Sequence, residues 1–204
     1  MVGVVLGGTS LTEHYLAEFV EQCGCQPRHR SLDPVEPGGG LKRSVATMDA
    51  VVGEGSDSRA VFSKSEFFRR QLTPGAVAAL LRNLSEDRPS GESRELSFTP
   101  MGGRYNDVSP QATAFVHREE KFLVEHVATT AADGPVTAAR AAHAWAERSW
   151  RCVHDQASGG VYPNFPDLDL RDWKTAYYGD NYERLRQIKS IYDPEGVLNG
   201  PQSI

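Results

Sequence analysis

Apolar and polar residues recur with two different periods along this chain, and segments of the two kinds are interleaved. A period of two, or a short apolar run, predicts strands at residues 2–6, 28–32, 59–68, 96–99 and 121–128. A helical period predicts helices at residues 10–23, 74–84, 135–154 and 180–191. This mixture predicts an α+β fold, in which helices cover one face of a mostly antiparallel sheet.

Three of the predicted helices begin at residues that are typical of helix starts. Ser10 and Asp180 are each followed three residues later by glutamate, which is the spacing of a capping box. Thr73 precedes a proline, and proline is favoured at the first position of a helix. Gly24 and the pair Asp193–Pro194 are the expected stops of the first and last helices.

Composition and charge narrow the classes of function. The chain has 204 residues, 39% of them hydrophobic and 24% charged, which is enough to bury one sizeable core. The net charge is -5 and the Lys and Arg residues are scattered, so nucleic acid is not an expected partner.

No apolar run approaches the roughly 20 residues that span a bilayer, and Val2–Leu6 lacks the flanks of a signal peptide. We therefore expect a cytoplasmic protein without a membrane partner. Three cysteines without zinc-ligand spacing predict no metal site.

A carboxylate in the predicted strand 121–128 is the first candidate for chemistry. Period-two alternation puts Leu123, Glu125 and Val127 on one face of this strand and His126 on the other. Glutamate is rarely buried without a partner. Glu125 is therefore either a solvent-facing residue of an edge strand or a functional group, and we expect His126 to be a packed or surface residue rather than a catalyst.

The second candidate lies after a glycine pair, in the run 159–167. An extended backbone here aims the side chains of Tyr162 and Asn164 the same way, so that a phenol and an amide share one face. In the alternative interpretation, the tyrosine packs its ring at a strand end and Asn164 caps a turn. Residue types alone leave both interpretations open.

Several spaced motifs in one order give these candidates a context. The tail reads WKTAYYGDNYERL at residues 173–185 and is followed by YDP at 192–194 and PQSI at 201–204. Further motifs in the same order lie at residues 62–67, 71–73, 102–103, 114–118 and 162–167. Together they resemble the C-terminal half of the berberine-bridge-enzyme-like FAD-linked oxidoreductases, whose signature ending the tail matches.

This resemblance implies both a fold and an activity. The fold is that of the substrate domain of vanillyl-alcohol-oxidase-type flavoproteins, which places the second face of the sheet toward a flavin. The activity is oxidation of an alcohol or a C–H bond in a sugar or other secondary metabolite, with FAD as the hydride acceptor. The expected partner is thus a small-molecule substrate.

The resemblance also implies roles for five residues. Tyr162 matches the tyrosine that acts as the base in sugar-oxidising and cannabinoid-forming relatives, and Asn164 matches an amide close to the flavin ring. Glu125 falls where relatives place a glutamine or a catalytic glutamate, so that either Tyr162 or Glu125 is the catalytic base. Leu123 and Met101 are expected to bind substrate, although many relatives have a tyrosine where this chain has Met101.

The resemblance divides the chain into residues 1–158, a substrate-domain-like region, and residues 159–204, a C-terminal segment with an extended Tyr-x-Asn strand and a return helix. The N-terminal flavin domain of relatives has no counterpart in this sequence, so we expect weak FAD binding by the chain alone. Three hypotheses follow. The chain is part of a split or truncated flavoenzyme that needs a separate flavin-domain chain, an inactive remnant, or a flavin-independent ligand-binding module.

Overall fold

A computed structural model describes residues 8–24, 26–27, 30, 32, 59–86 and 88–204. The predicted strand at 2–6 and most of the one at 28–32 lie outside these residues. The chain divides into two compact units, Met1–Ser56 and Asp57–Ile204. Each unit is described by itself.

The described part of the first unit is dominated by helix α1, Thr9–Cys23. The backbone of Gly8 is extended, and its carbonyl accepts the first helical hydrogen bonds, so Ser10 already lies inside the first turn. The prediction that Ser10 caps this helix is therefore wrong. The predicted stop is confirmed, because Gly24 adopts a left-handed conformation (φ 65°) that closes the helix.

A three-stranded antiparallel sheet forms the centre of the second unit. Its strands are β1 (Arg59–Phe68), β2 (Ser93–Pro100) and β3 (Phe122–Ala131), in the order β1-β3-β2. Glu125 of β3 pairs with Ser65 of β1 and with Ser97 of β2. Glu125 therefore lies on the central strand, and its interpretation as an edge-strand residue is wrong.

Two helices cover one face of this sheet, as the sequence predicts. They are α2 (Pro74–Ser85), whose N-cap Thr73 accepts a hydrogen bond from the Ala76 amide, and α3 (Val136–Arg151). The Trp145 indole of α3 donates a 2.9 Å hydrogen bond to the Asn83 carbonyl of α2. The buried apolar residues between sheet and helices are Phe68, Ala76, Leu80, Val124, Ala128, Ala142, Trp145, Ala146 and Val153. The α+β fold with helices on one sheet face is confirmed.

The C-terminal segment folds into two helices, α4 (Trp173–Tyr178) and α5 (Tyr182–Tyr192), joined by a 3-10 turn. Asp180 lies within this turn and does not cap α5, contrary to the prediction. The reason is the buried Asn181, whose amide donates to the carbonyls of Pro110 (2.7 Å) and Thr113 (3.1 Å) and fixes the turn. Within the described residues, no helix has the length and apolar character needed to cross a membrane.

Candidate functional site

A pocket of about 350 Å³ opens on the sheet face opposite to α2 and α3. Each strand contributes one lining residue from the same register row, namely Phe67, Leu123 and Thr99. The other lining residues come from the connection after β2 and from the run after α3. They are Met101, Tyr105, Phe115, Arg118, Tyr162 and Phe165.

The wall of the pocket is largely aromatic. The Tyr162 ring meets Phe67, Phe115 and Phe165 edge-on, with centroids 6.1, 6.0 and 5.2 Å away. Such edge-to-face contacts fix ring orientation beyond what apolar burial alone provides. Tyr162 is therefore held rigidly, with its ring half-buried.

The segment that carries Tyr162 is anchored to the end of β1. Phe67 donates its amide to the Gly160 carbonyl at 2.9 Å, and Ser158 donates to the Phe67 carbonyl at 2.8 Å. Beyond this anchor the chain turns, because the Phe165 amide donates to the Tyr162 carbonyl at 3.0 Å. The prediction of a Tyr-x-Asn strand is thus wrong in its backbone conformation.

The turn nevertheless brings the predicted phenol and amide together. Asn164 Nδ2 donates a 2.9 Å hydrogen bond to the hydroxyl oxygen of Tyr162. Asn164 itself is an exposed residue. Tyr162, Leu123 and Met101 all line the pocket, and Asn164, outside the lining, is connected to it by its hydrogen bond to Tyr162.

Glu125 lies two residues beyond Leu123 on the same face of β3, outside the lining of the pocket. Burial raises the pKa of this carboxyl, and the nearby charge of Glu95 raises it further, while a hydrogen bond with Ser63 lowers it. The carboxyl therefore keeps its proton to a higher pH than an exposed glutamate.

Sequence reasoning missed six of the nine described residues that line the pocket, and among the six, Arg118 contributes a cation and Tyr105 a second phenol. The Arg118 guanidinium lies over the rings of Tyr105 and Phe115, 4.9 and 5.1 Å from their centroids. Burial is the main cause that raises the pKa of Tyr105 to about 12. The motif at residues 114–118 marked the family but gave no sign that Arg118 reaches the pocket.

Two buried histidines in this unit have structural contacts. His126 is fully buried, and its Nδ1 lies 2.8 Å from the Ser149 hydroxyl. His117 stacks on Phe67 with centroids 4.6 Å apart, and its Nε2 lies 3.1 Å from the Tyr177 carbonyl. Burial lowers the pKa of each imidazole to about 4. In the part of the chain that the structure describes, no three His, Cys, Asp or Glu residues are grouped for a metal ion.

Comparison with known proteins finds a family that matches the C-terminal part of the chain. The family described as "Berberine and berberine like" matches residues 161–204, which include Tyr162, Asn164 and both C-terminal helices. The chain corresponds to the C-terminal region of berberine-bridge-enzyme-like FAD-linked oxidoreductases. The matched segment thus begins directly after Gly160, the residue that anchors it to β1.

Alignments with berberine-bridge-like relatives cover most of the chain. The aclacinomycin-N/aclacinomycin-A oxidase of Streptomyces galilaeus is 30% identical over 217 residues, covering 97% of this chain and 37% of its own length. The FAD-linked oxidoreductase YgaK of Bacillus subtilis is 28% identical over 172 residues, covering 82% of this chain and 37% of its own length. The chain therefore spans little more than a third of these relatives.

Solved berberine-bridge-like structures share the fold. The crystal structure of aclacinomycin oxidoreductase has a TM-score of 0.77 and 29% identity, covering 97% of this chain and 42% of that one. Berberine bridge enzyme from Eschscholzia californica has a TM-score of 0.65 and 26% identity, covering 74% of this chain and 33% of that one. The relatives are named as FAD-linked oxidoreductases and oxidases.

The described residues fit one part of an FAD molecule. Asn164 has an exposed amide beside the pocket, and Tyr162 offers an aromatic edge, groups that suit the polar rim of an isoalloxazine ring. The described residues contain no helix that opens with a G-x-G-x-x-G loop for a pyrophosphate. The polar groups that the described pocket offers to a flavin are thus the amide of Asn164 and the phenol of Tyr162.

Proposed function

We propose that this chain forms the substrate-binding wall of an FAD-dependent oxidoreductase that oxidises an alcohol or a C–H bond of a sugar or other secondary metabolite. The observation that carries the proposal is the position of Tyr162, whose phenol lies in the aromatic pocket and accepts a hydrogen bond from Asn164. One relative is named as an oxidase of aclacinomycins, and another structure is titled a glycopeptide hexose oxidase.

Oxidation of an alcohol needs a base for the hydroxyl proton while a hydride leaves the carbon. Asn164 donates to the oxygen of Tyr162, so that bond does not use the hydroxyl hydrogen. To act as the base, Tyr162 must release this hydrogen before its oxygen takes the proton of the substrate hydroxyl. In one mechanism Tyr162 is the base and Glu125 is its proton acceptor. In the other, Glu125 is the base, because burial raises its pKa, and Tyr162 orients the substrate. We favour Tyr162, since it lines the pocket and Glu125 does not.

FAD, when bound, supplies the hydride acceptor. Asn164 and Tyr162 are the residues of this chain that would hold the flavin ring beside the substrate, and Leu123 and Met101 would hold the substrate. We propose that FAD binds this chain weakly unless a flavin domain is supplied, as a separate chain if necessary. Under this proposal the chain contributes binding, orientation and proton transfer.

Flavin retention tests this function. The purified chain is mixed with FAD alone, or with FAD and the flavin domain of a relative, passed over a gel-filtration column, and measured by visible absorbance. We expect flavin to co-elute with the chain only when the domain is present. Anaerobic addition of aclacinomycin A should then bleach the flavin absorbance, as reduction requires. The flavin domain alone serves as the control.

Two results would contradict the proposal. If flavin is not retained with this chain under either condition, the chain is an inactive remnant or a flavin-independent ligand-binding module. If the flavin domain alone is reduced equally fast, the pocket of this chain contributes nothing to the oxidation.

A further inference from the structure

The connection after β2 returns a second phenol to the pocket. β2 ends at Pro100, and Gly103, whose φ of 59° favours glycine, begins a 3-10 turn that ends at Tyr105. Met101 lines the same pocket with a side chain that cannot donate a hydrogen bond. The phenol on this wall of the pocket therefore comes from Tyr105, four positions after Met101.

Tyr105 is held in place by its neighbours. Its ring meets Phe115 at 63° with centroids 5.4 Å apart, and the Arg118 guanidinium lies 4.9 Å from the ring centroid. Arg118 also donates a 3.1 Å hydrogen bond to the Tyr105 carbonyl. Ring and backbone are thus both fixed, so little side-chain entropy would be lost when a ligand binds.

The hydroxyl of Tyr105 is buried and has no hydrogen-bond partner among the residues that the structure describes. Buried hydroxyls nearly always have a partner. Other tyrosines of the same unit follow this rule, since Tyr162 bonds with Asn164 and the Tyr177 hydroxyl accepts from the Asp167 amide at 2.8 Å. Because Tyr105 lines the pocket, a molecule bound there can supply the missing partner of this hydroxyl.

The charges around Tyr105 determine what this hydroxyl can do. Burial raises its pKa to about 12, the positive charge of Arg118 opposes this rise, and Glu120 and Tyr162 add to it. The phenol therefore stays protonated at neutral pH and is available as a donor. An acceptor such as a carbonyl, hydroxyl or ether oxygen can take the hydrogen of this hydroxyl.

We propose that Tyr105 is a substrate-binding residue whose hydroxyl donates a hydrogen bond to an oxygen atom of the bound molecule. The site takes an oxygen-bearing ring that packs between the aromatic walls, with one oxygen at Tyr105 and the reacting group near Tyr162. This inference rests on the proposed function for the substrate class. It concerns binding alone and does not depend on flavin.

The test compares Tyr105→Phe with the unsubstituted chain, using aclacinomycin A as the probe and isothermal titration calorimetry as the measurement. We expect binding to be about tenfold weaker in the variant, which corresponds to about 1.4 kcal/mol. Tyr177→Phe is the matched control, because it removes a hydroxyl that is already bonded within the protein. The control should bind the probe normally.

Thermal unfolding without the probe gives a second measurement. Tyr105→Phe should leave Tm unchanged or raise it, since the substitution removes a buried hydroxyl that has no partner, whereas Tyr177→Phe should lower Tm. A loss of Tm in Tyr105→Phe that equals the loss in the control would overturn the proposal. Equal affinity of Tyr105→Phe and the unsubstituted chain for the probe would also overturn the proposal. The absence of saturable probe binding to the unsubstituted chain would overturn it as well. Normal probe binding without flavin retention would instead contradict only the proposed function.

Discussion

At the scale of single residues, residue type and spacing were enough to find part of the pocket. Tyr162 and Asn164 could be named because they lie in a motif that resembles a family, and Met101 because it directly precedes the matching glycine pair. Leu123 could be named because strand alternation places it on the same face as Glu125. Tyr105 could not, because the connection between β2 and β3 has no period that predicts where a side chain points. Non-local contacts, such as Phe115 with Tyr105, determine its position.

The choice between the two bases is a prediction at this scale. In the reconstituted enzyme, Tyr162→Phe should lower kcat by about 10²- to 10⁴-fold, the usual contribution of a general base. Because Glu125 acts only through Tyr162 in the favoured mechanism, Tyr162→Phe should also remove the acid limb of the pH profile, as Glu125→Gln does. Glu95→Gln is the control, because it removes a charge that raises the pKa of Glu125. An acid limb that moves to lower pH in Glu95→Gln and is lost in Glu125→Gln, but is unchanged in Tyr162→Phe, would identify Glu125 as the base.

At the scale of elements, the apolar period predicted all three strands of the sheet and both helices that pack on it. The apolar period did not predict the structure where a non-periodic contact determines the backbone conformation. The pair Tyr162 and Asn164 fits a strand by its spacing, yet side chains two residues apart also meet across a turn, as they do here. The capping-box spacing at Ser10 and Asp180 likewise did not identify the residue at which each helix begins, which is set by Gly8 and Asn181 in the folded chain.

The anchor between β1 and the Tyr162 segment depends on a glycine. A Cβ on Gly160 would lie 2.6 Å from Nδ1 of His117 and 3.4 Å from the Phe67 ring. Gly160→Ala should therefore displace His117 and lower the free energy of unfolding by about 1–3 kcal/mol, measured by urea denaturation. In Gly75→Ala, at the start of α2, a Cβ meets nothing within 4 Å, so this control should be neutral or slightly stabilising. Equal stability of the two variants would contradict the packing at Gly160.

At the scale of the whole molecule, buried ionisable groups make stability depend on pH in opposite directions. His117 and His126 are buried with pKa values lowered to about 4, so the unfolded chain binds more protons between pH 6.5 and 4. Their contribution is present above pH 6.5 and is lost as pH falls to about 4. Burial raises the pKa of Glu66 to about 7, so its contribution is present below pH 4.5 and is lost as pH rises to 7.

Acid destabilisation should therefore respond to substitution at His126. We expect His126→Gln to reduce the loss of unfolding free energy between pH 6.5 and 4 by up to roughly 3 kcal/mol, the equivalent of its shift in pKa. Urea midpoints at the two pH values give this difference, in which any loss of packing common to both pH values cancels. Glu66→Gln is the opposite case and should make the acid loss steeper. An unchanged pH dependence in His126→Gln would show that this imidazole does not resist protonation in the folded protein.

Alternate residues of the central strand β3 lie on opposite faces of the sheet, one that packs under the helices and one that bears the pocket. Val124, His126 and Ala128 contribute to the buried side beneath the helices, whereas Leu123, Glu125 and Val127 lie on the side that bears the pocket. Substitutions at odd-numbered positions of this strand can therefore alter ligand preference while the even-numbered positions preserve folding. A mutant library restricted to the odd positions would sample new specificities at low risk to the scaffold, and natural divergence can follow the same route.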